Sequence, residues 1–327
     1  MAQALVTGGT GFVGSHLVRA LNEAGHHVRV LHRPTSKRDA LAGLAYESAL
    51  GDLNDEDALY RAAAGCEWVF HVAAVADYWR ADREAMFEAN IGGTRRVLAA
   101  ARAAGAVRTV FTSSAAALGF RHDGAPADEG VRFNASSSRF PYGYSKAMAE
   151  IVALEAVAAG QDVVIVNPVV VMGPGDLNVI SGGFVMQIHR LGAWVPVTSG
   201  GVAVTDVRDV ARWHIAAAEH GQRGERYILG TENVAYAAWF ALIADVIGRP
   251  RPGFPVPDLA LGPIASLIDG LKAVGIDLPV DGVQTRLGGR SIFFRFEKAW
   301  EALGEPRIAM RQSVADTFAW YREHGYL

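Results

Sequence analysis

A tyrosine and a lysine four residues apart, Tyr142 and Lys146 in FPYGYSKAMAE (Phe140–Glu150), carry the first chemical signal of the chain. On a helix that spacing puts both side chains on one face. Tyr144, two residues from Lys146, lies about 200° around the helix and points away. A phenol is a poor proton donor or base near neutral pH unless its charged form is stabilised, and an ammonium one turn along supplies that stabilisation. For an isolated Tyr-x-x-x-Lys pair, two polar residues on a solvated helix would be the default reading. What precedes the pair argues otherwise. VFTSSAAALG (Val110–Gly119) reads as a strand ending in Thr112, Ser113 and Ser114, and ligands of open α/β sheets bind beyond the carboxyl ends of the strands. A hydroxyl there can hydrogen-bond the oxygen of a reacting carbonyl. A lone serine in such a place is more often a cap or turn residue. Followed by the Tyr/Lys pair, Ser114 becomes a catalytic candidate.

These residues need a scaffold, and the amino terminus supplies its signature. In ALVTGGTGFVGSHLVRAL a short apolar run meets Gly8, Gly11 and Gly14, and an amphipathic helix pattern follows at once. Gly9, Gly11 and Gly14 satisfy G-x-G-x-x-G, which is informative because a strand precedes it and a helix follows. Such a turn brings bare backbone amides against a pyrophosphate at the helix start. Further buried strands are expected at His26–Arg33, Ala45–Asp52, Glu67–Ala74, Arg108–Ser114 and Asp162–Pro168. Helices are expected between them at Asp55–Ala64, Asp82–Ala104 and Tyr142–Ala159. Continuously apolar strands alternating with helices predict an α/β fold, a Rossmann-like doubly wound parallel sheet. Residues 1–170 form the expected nucleotide-binding domain. Residues 171–327 form a smaller substrate-binding lobe, with 204–230 returning to the first domain. Val204–Glu219 reads as one helix and Arg311–His324 as another.

Composition narrows the class. The chain has 327 residues, half of them apolar, and a net charge of −3, so it carries no basic footprint for nucleic acid. A single cysteine, Cys66, excludes a disulfide framework and a cysteine metal site; no metal is expected. No signal-peptide pattern and no membrane-spanning run are evident, and a cytoplasmic protein with a small-molecule substrate is expected.

TGGTGFVGSHL, GDLND, FHVAA, the Asn90 in FEANIGGT, FTSSAA, PYGYSK and NPVVVMGPGD together resemble the extended short-chain dehydrogenase/reductase superfamily, over roughly the first 175 residues. Within it the chain resembles the dihydroflavonol 4-reductase-like branch and the hopanoid-associated sugar epimerases, through HVAA followed by Tyr-Trp, LGFRHDGAPADE and ERYILGTEN. The resemblance implies Ser114, Tyr142 and Lys146 as catalytic triad, with Lys146 holding the nicotinamide ribose. For the cofactor it implies the loop residues Gly8, Thr10, Gly11, Phe12, Val13 and Gly14, and Asp52 and Leu53 beside the adenine. It also implies Ala73 and Ala74 along the cofactor, Thr112 and Ser113 at the end of the fifth strand, and Pro168 and Val170 near the nicotinamide. Asn90 is either structural or a cofactor contact. Helices Asp82–Ala104 and Tyr142–Ala159 often form a four-helix homodimer interface in the family, and alanines 99, 100, 103, 147 and 153 would allow close packing there or against the sheet.

The second strand ends Val30-Leu31-His32-Arg33, and no acid follows until Asp39. NAD-preferring members carry an acid there for the adenosine ribose. Arg33, with Lys37 or Arg38 nearby, would instead pair with a 2′-phosphate, which favours NADP over NAD. Dehydratases place an Asp-Glu pair after the Ser/Thr, whereas Ala115, Ala116, Ala117 and Leu118 follow here. Nucleotide-sugar epimerases commonly use an arginine where GGVAVTDVRD places Val202. Tyr78 and Trp79, beyond the fourth strand, and the aliphatic stretch Phe254–Val280 suit an apolar substrate. The expectation is an NADP-dependent reductase of an apolar ketone or aldehyde. An epimerase with tightly bound cofactor and a non-catalytic NADP sensor are the alternatives.

Overall fold

Seven parallel strands form the central sheet of the computed structural model, which describes residues 1–76, 82–121, 123–138, 140–276 and 282–327, without the side chains of 283 and 284. The first six are β1 (Gln3–Thr7), β2 (His27–His32), β3 (Glu47–Leu50), β4 (Trp68–His71), β5 (Arg108–Thr112) and β6 (Val163–Pro168). Strand order is 3-2-1-4-5-6, and Arg226–Leu229 adds a seventh strand parallel to β6. The order reverses between β1 and β4, the point at which a doubly wound sheet offers a ligand crevice beyond the carboxyl ends of its strands. β1, β5 and β6 are buried almost throughout, because crossover helices cover both faces.

The crossovers are α1 (Phe12–Glu23), α2 (Glu56–Ala63), α3 (Arg83–Phe87), α4 (Gly93–Ala103) and α5 (Pro141–Ala158). The expected helix Asp82–Ala104 is α3 and α4 joined through a π-helical segment, Glu88–Gly92. Asn90, 1% exposed, sits in that segment and has turned inward. α5 has Pro141 at its first turn, where the missing N–H costs no intrahelical bond. Its low amphipathicity follows from burial of both Tyr142 and Lys146 beside its apolar residues.

One expectation needs correction. Val204–Glu219 is not one helix. Gly201–Asp206 is a fully buried strand, and the helix runs Val207–His220 with Asp206 as its N-cap, accepting from the Arg208 amide. Alternating Val202 and Val204 face the second core cluster, so tertiary burial holds this stretch extended. The strand pairs with Val170–Met172, Glu232–Ala235 and Ser291–Ile292 to make a small sheet. The helix after it covers the face of the main sheet that α1 also covers, its Val210, Ala211 and Trp213 sharing a core with Leu17, Val18 and Leu21. The terminal helix is Met310–Glu323. Among the described residues, no helix is long and apolar enough to cross a membrane.

Candidate active site

The loop after β1 enters the crevice with two glycines that nothing else can replace. Gly8 has φ +73°, and a Cβ on it would lie 2.6 Å from the Ala73 amide nitrogen in the loop after β4. A Cβ on Gly14 would lie 2.1 Å from the Gly8 carbonyl. Gly11 differs: a Cβ there meets only the Gly8 oxygen, at 3.3 Å, and otherwise projects into open space. Gly11 is the N-cap of α1, no side chain caps it, and the first turn has no acid. The α1 amides therefore face the crevice without a side-chain acceptor, which fits the diphosphate of a dinucleotide. Thr10 stands in this loop and Phe12 and Val13 open α1, all three partly buried; Phe12 packs edge-on against His16, at 5.9 Å between rings, and Val13 leans on the core.

At the end of β2, His32 is buried and hydrogen-bonds the Ser48 hydroxyl at 2.7 Å, where an acid would otherwise stand. Arg33 and Lys37 are exposed, and among the described residues neither guanidinium nor ammonium has an ion-pair partner. Asp52 accepts from the Asn54 amide at 2.7 Å, and Leu53 packs over Gly93 at the start of α4. Ala73 donates its amide to the Thr7 hydroxyl at 3.3 Å, and Ala74 follows, partly buried. Asn90 bonds both polar groups of Val75, at 2.8 and 3.1 Å, and donates to Ser145 at 2.9 Å. Its side chain is fully engaged in pinning the β4 loop to α5. Pro168 ends β6 buried, and Val170 packs toward the second core cluster. Tyr78 and Trp79 lie outside the described residues. Leu259 and Leu267 of the Phe254–Val280 stretch are 94% and 63% exposed, so they line no enclosed pocket.

Ser114, Tyr142 and Lys146 converge at the end of β5. The Tyr142 and Ser114 side chains are hydrogen-bonded, and Tyr142 is 6% exposed. Lys146, 1% exposed, donates to the Thr112 carbonyl at 2.8 Å and sits 5.1 Å above the Phe111 ring. His71 also stacks on that ring, at 5.6 Å between centroids. Thr94 donates to the Asn90 carbonyl at 2.6 Å, so His71 Nε2 must donate to Thr94 and Nδ1 must accept from Thr7. This neutral tautomer agrees with burial, which pushes the imidazole down to about 3 with some help from the Lys146 charge.

The phenol departs from expectation. Burial pushes Tyr142 up to about 12, against a smaller opposing effect of its bond to Ser114. The Lys146 ammonium donates to the Thr112 carbonyl. Desolvation brings Lys146 itself down to about 8, with Glu150 acting in the other direction. Thr112 and Ser113 also differ from the simple picture of cofactor hydroxyls: Thr112 bonds His214 at 2.8 Å, and Ser113 donates to Glu150 at 2.5 Å. They brace the site from behind. Tyr144 packs against Phe87 and Phe133, away from Lys146. Sequence reasoning passed over Glu150, Asn167 and His71, although the i, i+4 spacing of Glu150 from Lys146 was legible.

A family model described as NAD dependent epimerase/dehydratase family matches residues 4–230. The chain belongs to that family. As an extended short-chain dehydrogenase/reductase it is an NAD(P)-dependent oxidoreductase by type. A protein of Synechocystis sp. that carries a dihydroflavonol 4-reductase name is 39% identical over 98% of this chain and 95% of its own. Sterol demethylase protein B of Methylococcus capsulatus is 34% identical over 99% of both chains. The crystal structure of gox2253 superposes with a TM-score of 0.88 at 37% identity, covering all of both chains.

Proposed function

We propose that this family member is an NADP-dependent reductase that converts a ketone or aldehyde of an apolar small molecule into an alcohol. The observation that carries the reading is the bonded pair of hydroxyls, Tyr142 and Ser114, with buried Lys146 one turn along the same helix. Bound at the glycine loop, the nicotinamide dinucleotide would supply the hydride. Tyr142, protonated at neutral pH, donates its proton to the developing alkoxide, and Ser114 hydrogen-bonds the same oxygen. Lys146 holds a positive charge beside them and, in the family's manner, the ribose hydroxyls.

For the diphosphate the residues present are the amides opening α1, with Gly11 leaving the approach clear. For a 2′-phosphate they are Arg33 and Lys37, exposed and free of ion pairs among the described residues. Relatives named for a dihydroflavonol and a sterol support a small apolar substrate. Val202, at the position read against a nucleotide sugar, is a core residue of the small lobe and offers no cation. A homodimer through α4 and α5 is part of the proposal. Ala99 and Ala103 are exposed on α4, whereas Ala100 and Ala153 face inward.

A panel of carbonyl compounds assayed with NADPH and with NADH, following nicotinamide absorbance, tests the reading. NADPH oxidation by an apolar ketone or aldehyde is expected. Copurified oxidised cofactor with sugar epimerisation and no net absorbance change would make the protein an epimerase. Cofactor binding without turnover of any class would make it a sensor.

A further inference from the structure

Behind the Tyr142–Lys146 face, α5 presents one more ionisable group. Glu150 is 3% exposed and lies one turn beyond Lys146. Its Oε1 accepts from Ser113 Oγ at 2.5 Å and from Asn167 Nδ2 at 2.6 Å. Its Oε2 accepts from Arg226 Nη1 at 3.0 Å. Asn167 donates in addition to the Ser114 carbonyl, at 3.0 Å. Arg226 donates onward to the Glu129 carbonyl, and the Glu129 carboxylate accepts from the Ile228 amide at 3.0 Å. One carboxylate thus ties α5 to the ends of β5 and β6 and to the edge strand.

We propose that Glu150 is the positioning residue of this site: clamped by Arg226, Ser113 and Asn167, its carboxylate sets the charge of Lys146 and holds the Ser114 backbone in place. Lys146 needs such an anion. Its other neighbours are the neutral Thr112 carbonyl from β5 and the Phe111 ring, on which neutral His71 also stacks, and His71 feels the Lys146 charge. Burial in that setting favours the neutral amine, and the Glu150 charge opposes it. Arg226, from the edge strand, is the one cation bonded to Glu150 among the described residues. A cation so placed should partly offset the field of Glu150 at Lys146. The two members of this buried ion pair are therefore expected to push Lys146 in opposite directions. A merely structural ion pair would move stability only, and in the same direction for both partners.

The consequence for turnover rests on the role proposed for Lys146, but the charge relationship can be measured without substrate or cofactor. The sequence holds only four lysines, at positions 37, 146, 272 and 298. Lysine labelled with ¹³C at Cε gives four signals, and the Lys146 signal is assigned by its loss in Lys146→Arg. In the unmodified protein it is expected to titrate near pH 8. Glu150→Gln should lower that midpoint by about one pH unit, and Arg226→Gln should raise it. Glu150→Asp, which restores the charge, should bring the midpoint back toward the original. A midpoint unmoved in these variants, or moved the same way by Glu150→Gln and Arg226→Gln, overturns the proposal. Should Glu150→Gln fail to fold, the upward shift in Arg226→Gln decides alone. Catalytic failure with the titration intact would count against the reductase reading and leave this relationship standing.

Discussion

Tyr142 and Ser114 meet across two layers of the fold, one from the first turn of α5 and the other from the end of β5, and their side chains share a hydrogen bond. Burial holds the phenol protonated to about pH 12, so at neutral pH it is a donor and not a base. That state suits the reductive direction, in which the group delivers a proton to a nascent alkoxide. Ser114 also accepts from the Ala116 amide at 3.2 Å, which fixes the hydroxyl oxygen where the two partners meet.

Removing the phenolic hydroxyl should therefore remove turnover and little else. Tyr142→Phe is expected to lower kcat by about 10²- to 10⁴-fold, the usual range for a positioned general acid. NADPH affinity, measured by fluorescence titration, should stay within a few fold of the original. Full activity in this variant would take Tyr142 out of the mechanism.

The glycines of the first loop separate folding from binding. Gly14→Ala places a Cβ on the Gly8 carbonyl at 2.1 Å, where only backbone could yield. It should lower the denaturation midpoint severely. Gly11→Ala meets one atom at 3.3 Å, at a residue whose φ of −88° suits any side chain. That variant should fold with a small loss of stability while binding dinucleotide at least tenfold more weakly. Equal cofactor affinity in Gly11→Ala would mean that the phosphates do not approach this turn.

Arg33 offers a test of cofactor choice. A guanidinium–phosphate contact is worth about 1.5–3 kcal/mol. Arg33→Ala should accordingly weaken NADPH by about 10- to 100-fold and leave NADH almost unchanged. The comparison of the two dissociation constants is the readout, and parallel losses for both cofactors would count against a 2′-phosphate contact.

Two buried histidines predict acid sensitivity. Burial pushes His71 down to about 3 and His214 down to about 4, from an ordinary value of 6.5. The unfolded chain takes up protons below pH 6.5 that the folded state refuses. Stability is thus complete above that pH and falls as the pH drops toward about 4. Between pH 7 and 5 each histidine removes roughly 2 kcal/mol. Urea denaturation at both pH values checks this, and in His214→Gln the pH-dependent loss should be smaller by that histidine's share. A midpoint independent of pH would show that these imidazoles are not held neutral.

Much of this was legible from residue order. The glycine loop, the six strands and the face shared by Tyr142 and Lys146 are local patterns, and local sterics and helix geometry translate them directly into shape. The strand Gly201–Asp206 was not legible, because Val-Thr-Asp before an amphipathic run suits a helix start as well. Only pairing with Val170–Met172 and Glu232–Ala235 holds it extended.

Residue types and spacing alone determined the chemical inventory: a phenol, an amine and a hydroxyl beyond a parallel sheet, and a cationic end to β2. Tertiary structure decided the state of those groups. Burial made Tyr142 a firmly protonated acid and turned Lys146 toward the Thr112 carbonyl, and it committed the hydroxyls of Thr112 and Ser113 to His214 and Glu150. The physical reason is that charge and hydrogen-bond direction depend on desolvation and on partners distant in the chain. His214 and Arg226 reach the site from α/β units folded more than a hundred or seventy residues away, and no local spacing encodes that approach.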